Sequence, residues 1–259
     1  MDLKLDINIS NQYRSKAQIA RVLTENWVRI NGYCPNCGSE LIEFENNRPV
    51  ADFLCNNCRE EFELKSKKSL KIGKKIVDGA YSKMIERLFS ENNPNFFFLT
   101  YDITKLQVTN FIIIPKFFFL PDIIEKRKPL SSNARRAGWI GCNINIAKIP
   151  DKGRLYYVKH SQIKPKNQVI REWKKVSFIK KQKGENKGWL IDVMKCIDNI
   201  PKVVFTLSDV YKFENILKGK YPKNNFIRDK IRQQLQILRD KGFIEFKNRG
   251  VYKKIDYID

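Results

Sequence analysis

Residues 49–67 read PVADFLCNNCREEFELKSK, and this stretch decides how the first part of the chain is built. PVADFLC (49–55) and EEFELKSK (60–67) have the composition of two short strands, and the CNNC between them makes the pair a hairpin. Side chains alternate along a strand, so Glu63 and Lys65 project to one face while Phe62 and Leu64 enter the core. The hairpin brings Asp52 beside that face. The pattern is Pro49-Val-Ala-Asp52, ten intervening residues, then Glu63-Leu64-Lys65.

A second CxxC lies upstream, and the full spacing is Cys34-x2-Cys37-x17-Cys55-x2-Cys58. Two knuckles this far apart match a zinc pattern. Four thiolates close a tetrahedral structural site and leave no open position for a substrate. Gly38 suits the tight turn of the first knuckle. Four ordinary buried cysteines, or a redox CxxC, are the competing readings; two matched pairs disfavour both. The expected Zn²⁺ is therefore structural, and any catalytic metal must be sought elsewhere. Asp52 lies three residues before Cys55 and Glu63 five after Cys58, so the knuckle would fix their mutual geometry. Cys142 and Cys196 stand alone. With no secretory signal, a reducing cytoplasm is expected rather than a disulfide framework.

Two carboxylates and a backbone carbonyl, from Asp52, Glu63 and Leu64, offer oxygen ligands of the kind Mg²⁺ takes. Such a metal polarises a phosphodiester oxygen and lowers the pKa of a bound water. Lys65 would orient that water or stabilise charge developing on phosphorus. Asp…ExK alone is a weak signal in a Lys- and Glu-rich chain, and EFELKSK also reads as a solvated edge strand. The buried alternation, the Pro49-Val-Ala before Asp52 and the flanking cysteines favour the catalytic reading. Glu25 reads as an extra metal-site acid or as a surface residue. The single histidine, His160, excludes mechanisms that need a catalytic His plus His ligands.

The 259 residues suffice for one large domain or two ordinary ones. Fifty Lys+Arg oppose 28 Asp+Glu, a formal charge of +22 that attracts polyanions. The excess is spread over the chain rather than gathered on one amphipathic helix, which favours nucleic acid over an acidic membrane. No apolar run has transmembrane length; Pro115 and Pro121 interrupt the FIII and FFFL clusters.

Helical spacing of Ile19, Val22, Leu23, Trp27 and Ile30 predicts a helix over 14–30. The opening MDLKLDINIS reads as a strand, 74–90 as a helix, and FFFLPDIIEKR as a short helix. Residues 93–102 and 108–116 are apolar on both faces, as in a sheet covered by helices. ARRAGWIGCNINI is a Gly-containing loop running into a strand, and GRLYYVKH a last strand. Residues 159–187 hold ten Lys+Arg against two Glu and read as a helix-containing linker. The expected domains are 1–182 and 183–259.

The second domain follows helix–strand–helix–helix–hairpin order, the winged-helix plan. Thr206 is placed to cap its second helix. The third helix (224–242) carries an apolar stripe of Phe226, Ile227, Ile231, Leu235 and Leu238 and ends at Gly242. Such a helix enters the major groove while the hairpin touches backbone or minor groove. Asn224, Asn225, Arg228, Arg232, Gln233 and Gln234 lie off the stripe; Arg suits guanine and Gln adenine. Lys247 and Arg249 belong to the wing, which turns at Asn248-Arg249-Gly250. A protein-docking winged helix is the competing reading. In the first domain Arg135, Arg136 and Trp139 read as a DNA-facing loop, with a core tryptophan as the alternative.

CPNCG, FENNRPVADF, CNNC, EEFELKSKK, NNPNFFFLTY, RKPL, ARRAGWIGCNI, PKNN and IRQQLQILRDK together resemble the DpnI family of methyl-directed restriction endonucleases. The similarity covers nearly the whole chain and thins at the ends and over 159–187. It implies an α/β architecture: a PD-(D/E)xK restriction-endonuclease-like domain with an embedded four-cysteine zinc site, followed by a C-terminal winged helix. It implies cleavage of double-stranded DNA at GATC carrying N6-methyladenine, with Mg²⁺ at Asp52 and Glu63 and with Lys65 as the catalytic cation. Burying one methyl is worth about 0.8 kcal/mol, or roughly fourfold in affinity. One methyl read once discriminates poorly, so both domains are expected to contact methylated adenines. A repair nuclease that nicks one strand, and a non-catalytic zinc and winged-helix regulator, are the alternatives. The sequence does not fix the oligomeric state; a monomer in solution is the expectation.

Overall fold

The structure is a computed structural model that describes residues 1–44, 51–90 and 93–255. Pro49 and Val50, read above as the start of a strand, lie outside these residues. Contacts divide the chain into two compact units, Met1–Val176 and Ser177–Asp259.

In the first unit, helix α1 (Lys16–Asn31) leads to β1 (Leu41–Glu43), β2 (Phe53–Cys55) and β3 (Glu61–Lys68). Strand β4 (Lys75–Ala80) and helix α2 (Tyr81–Leu88) precede β5 (Asn95–Asp102) and β6 (Gln107–Ile114). Then come β7 (Ile124–Lys126), β8 (Gly141–Asn145), β9 (Leu155–Lys159), β10 (Gln162–Ile163) and helix α3 (Lys166–Val176). Among the described residues the central sheet has seven strands in the order β1-β2-β3-β5-β6-β9-β10, and β4-β8-β7 form a second sheet. Among the described residues only β3 and β5 pair in parallel, joined by the long crossover that parallel pairing requires.

Aromatic residues tie the central strands together. Phe62 stacks on Phe97 at 4.8 Å, Phe97 meets Phe111 at 4.9 Å, and Phe111 meets Tyr157 at 4.9 Å. The row crosses β3, β5, β6 and β9, and Trp27 of α1 closes edge-on over Phe111. Each such pair adds about 0.5–1.5 kcal/mol beyond area burial. On α1, Leu23, Trp27 and Val28 are buried, whereas Ile30 is exposed. On the other face Phe96 meets Phe119, which follows a 3₁₀ turn, so that face is not covered by helices alone. In α3, Val169, Trp173 and Val176 are buried, so this part of 159–187 belongs to the first unit's packing rather than to a linker.

Several local expectations are corrected. Residues 75–80 form β4 rather than the first half of a helix, because they pair with β8; Ile76, Val77 and Gly79 are poor helix formers. MDLKLDINIS makes a single bridge at Lys4 and then a 3₁₀ turn, in which the Asp6 side chain accepts from the Asn8 amide and diverts the backbone from a ladder. FFFLPDIIEKR is short 3₁₀ turns followed by β7.

The second unit contains α4 (Gly184–Asp198), β11 (Val204–Thr206), α5 (Leu207–Tyr211), α6 (Glu214–Lys220), α7 (Ile227–Asp240), β12 (Ile244–Asn248) and β13 (Val251–Lys254). The strands order β11-β13-β12, and the hairpin of β12 and β13 is the wing. Thr206 caps α5 reciprocally with Asp209. The second helix of the domain, expected as one element capped by Thr206, is two short helices, α5 and α6, broken at Lys212–Phe213.

Candidate active site and nucleic-acid interface

The four cysteines converge. Cys34 and Cys58 Sγ atoms are 3.4 Å apart, as are those of Cys37 and Cys55, and all four lie within 4.8 Å of one another. Zinc–sulfur bonds of about 2.3 Å place tetrahedral sulfurs roughly 3.8 Å apart, so the cage fits Zn²⁺. The two knuckles bond alike. The Gly38 amide donates to the Cys34 carbonyl (2.8 Å) and the Arg59 amide to the Cys55 carbonyl (3.1 Å). Both donors sit at positive φ, +78° at Gly38 and +61° at Arg59. The cage ties the chain beyond α1 to the turn between β2 and β3.

That turn positions Asp52. Its amide donates to the Phe62 carbonyl (2.9 Å), and its Oδ2 accepts from the Leu64 amide at 2.6 Å. The N–H and C=O of one residue in a strand point to the same edge. The Leu64 carbonyl therefore faces the edge where the Asp52 carboxylate sits. The charge of Asp52 also reaches α1: burial pushes the Glu25 carboxyl up, the Arg21 hydrogen bond opposes this, and Asp52 adds to the rise. Glu25 is held by Arg21 at 2.8 Å.

Glu63 and Lys65 share a face of β3, with Lys65 Nζ 2.6 Å from Glu63 Oε1. Two residues not singled out in the sequence join them. Asp78 of β4 accepts from Lys65 at 3.0 Å, and Arg87 of α2 donates to Glu63 Oε2 at 2.9 Å. Burial alone would lower the Lys65 pKa, but the Glu63 and Asp78 carboxylates outweigh it and hold the ammonium above its ordinary value. Asp78 was hidden by the helical reading of 74–90. As a strand, the segment places Asp78 on the same face as buried Ile76, and an acid on an inward face is the signal that was available. Among the described residues the cysteines are the one group of three or more His, Cys, Asp or Glu ligands that converges. Asp52, Glu63 and the Leu64 carbonyl are two acids and one carbonyl. That set is compatible with Mg²⁺, which is bound through one or two carboxylates and keeps water and phosphate oxygens for the rest.

In the loop between β7 and β8, Arg135 and Arg136 are exposed. The loop is closed by the Leu130 amide on the Trp139 carbonyl and the Gly138 amide on the Leu130 carbonyl, both 3.0 Å. The Arg136 guanidinium lies 4.7 Å over the half-buried Trp139 ring. The indole rests against the Gly141 backbone, where a Cβ would come within 2.8 Å of it. Trp139 is thus neither a core residue nor fully free.

In the second unit, α7 buries Ile227, Ile231, Gln234, Leu235 and Leu238. Gln234, expected to reach bases, is 2% exposed because it falls on the apolar stripe, three residues after Ile231. Phe226, expected on that stripe, is 72% exposed: it is the N-cap, with non-helical φ −121° and ψ 53°. Arg228 bonds Glu214 (2.8 Å) and lies over the Tyr211 ring (4.9 Å). Arg232 bonds Asp229 and the Tyr211 hydroxyl. Asn224 Oδ1 accepts from the Phe226 amide (2.7 Å) and Asn225 Oδ1 from Lys218 (3.2 Å). Gln233 is exposed. Lys247 pairs with Glu245 at 2.7 Å, and Arg249 is exposed at the wing's turn. Among the described residues no helix is long and apolar enough to cross a membrane.

Comparison with known families agrees with the resemblance read from the sequence. The model of the DpnI family, described as the Dam-replacing family, matches residues 1–182. The model of its C-terminal part, described as the Dam-replacing HTH domain, matches residues 185–254. The mixed α/β unit with its central sheet, the four-cysteine cage and the C-terminal helix-turn-helix module are the parts these matches cover. Family membership supports methyl-directed restriction nuclease activity and DNA binding. The chain belongs to the DpnI, or Dam-replacing, family.

Proposed function

We propose that the protein is a methyl-directed type II restriction endonuclease that hydrolyses phosphodiester bonds of double-stranded DNA at GATC sites containing N6-methyladenine. The observation that carries the reading is the 2.6 Å bond from the Leu64 amide to Asp52, which sets that carboxylate beside the strand bearing Glu63 and Lys65. Asp52, Glu63 and the Leu64 carbonyl would hold Mg²⁺. When bound, the cation would polarise a phosphodiester oxygen and acidify a water. Asp52 stays oriented because its second task, accepting from Leu64, fixes its rotamer. Lys65 supplies a fixed positive charge for the attacking water or for charge developing on phosphorus. The cysteine cage is the structural zinc site.

The second unit reads the same methylated site through the N-terminal end of α7 and the wing, and the loop bearing Arg135, Arg136 and Trp139 adds contacts from the first. This division of labour, with a nuclease domain over 1–182 and a reader over 183–259, lets two methyls be sensed by two surfaces. The test incubates the protein and Mg²⁺ with plasmid from adenine-methylating and non-methylating hosts, beside Asp52→Ala. Discrete fragments from methylated plasmid alone, absent with the variant, are expected. Nicked circles without linear product would point to a repair nuclease. Cutting of both plasmids would remove the methyl specificity, and binding without cutting would leave a regulator.

A further inference from the structure

Lys65 has two anionic neighbours, and only one of them belongs to the strand motif. Its Nζ is 2.6 Å from Glu63 Oε1 and 3.0 Å from Asp78 Oδ1. The other Glu63 oxygen takes Arg87 at 2.9 Å. Two carboxylates and two cations thus form one chain, Arg87–Glu63–Lys65–Asp78, whose formal charges cancel.

The Asp78 side chain is 5% exposed. A carboxylate so placed is costly unless it is paired, and Lys65 is the partner seen. Asp78 faces buried Cys142 across the β4–β8 ladder, and the register shifts between Asp78 and Ala80. Such bulges re-aim side chains and are frequent beside active sites. Backbone and side chain together therefore point this acid at the ammonium.

We infer that Asp78 is a positioning residue of the nuclease site: it holds the Lys65 ammonium in place while Glu63 is shared with a cation. The inference rests on the nuclease reading above. A metal drawn to Glu63 competes with every positive partner of that carboxylate. Lysine is a point charge on a flexible four-carbon stem, and without a second anchor it either stays on Glu63 or swings away. Asp78 supplies that anchor from a different strand and a different sheet.

The test uses the full chain, Mg²⁺ and a short duplex carrying methylated GATC. Asp78→Asn, nearly the same shape without the charge, should lower kcat by about 10- to 100-fold, the usual cost of losing a supporting partner. KM for the duplex and the Mg²⁺ concentration at half-maximal rate should stay at wild type. On a Lys65→Ala background the same substitution should cost nothing further, because its effect passes through Lys65. Asp78→Glu should fall between the two. If Asp78→Asn fails to fold, Asp78→Glu carries the test alone, with reduced kcat at wild-type KM in support. Wild-type kcat, a loss expressed in KM, or an equal further loss without Lys65 would overturn the role. A raised Mg²⁺ requirement would overturn it too, by making Asp78 a ligand. Wild-type cleavage by Lys65→Ala would instead bring down the nuclease site itself.

Discussion

Replacing Cys58 with serine tests whether the cage is the brace on which the cleavage site hangs. Cys58 Sγ is 3.4 Å from Cys34 Sγ, so the substitution removes a ligand joining the chain beyond α1 to the β2–β3 turn. Structural zinc contributes about 10–16 kcal/mol in small zinc-binding peptides, comparable to the roughly 5–15 kcal/mol that stabilises a whole domain. If one lost thiolate removes a quarter of the lower figure, the first unit is destabilised by about 2.5 kcal/mol. For a unit of 150–250 residues that is a fall of about 5–10 °C in Tm, at roughly 2–4 °C per kcal/mol. Cleavage should fall further than stability requires, because Asp52 and Glu63 flank the cage in sequence and their carboxylates depend on the hairpin's register. The assay combines zinc content by mass spectrometry, thermal unfolding by circular dichroism, and cleavage of methylated plasmid well below the variant's Tm. Wild-type protein should carry one zinc per chain, and the variant less. A variant with unchanged Tm and undiminished cleavage would refute the argument, as would wild-type protein containing no zinc.

Arg249→Ala at the wing should weaken binding equally for methylated and unmethylated duplexes, and lower the slope of log K against log salt by about 0.9; an unchanged slope removes Arg249 from phosphate contact. Phe226→Ala should reduce the preference of a cleavage-disabled Asp52→Ala chain for methylated duplex by roughly fourfold per methyl lost. An unchanged preference would show that Phe226 does not read the methyl. Asp209 is held well below the ordinary carboxylate value of 3.8, first by the Thr206 amide and then by Lys212 and the Thr206 hydroxyl. A depressed folded-state pKa contributes stability above the unfolded value that is lost as pH falls through the folded one. Asp209→Asn should therefore destabilise the second unit at neutral pH and flatten its stability profile on the acid side of 3.8. Identical profiles for variant and wild type would contradict this.

Which residues of α7 lie outside is misjudged from spacing at two positions, one at the N-terminus of the helix and one in its interior. A stripe drawn through 226, 227, 231, 235 and 238 admits Phe226 and leaves out Gln234, whereas the folded helix does the reverse. The cause is local: the helix begins at Ile227, so Phe226 has left helical φ/ψ, and Gln234 sits between the buried turns of Ile231 and Leu238.

By itself the sequence determined what depends on nearest neighbours along the chain. Two CxxC pairs can be matched by spacing because a knuckle is a local turn, and alternation puts Glu63 and Lys65 on one face because every strand alternates. The buried strands 93–102 and 108–116, the cap at Thr206 and the turn of the wing are legible for the same reason. Only the tertiary structure decided what pairs at long range. β4 is a strand because β8 lies beside it, and its composition alone left 74–90 open to a helical reading. Asp78 and Arg87 reach Lys65 and Glu63 from elements that no local pattern connects to β3. Helix and strand periodicity are properties of a segment, whereas an ion network across two sheets is a property of how the segments pack.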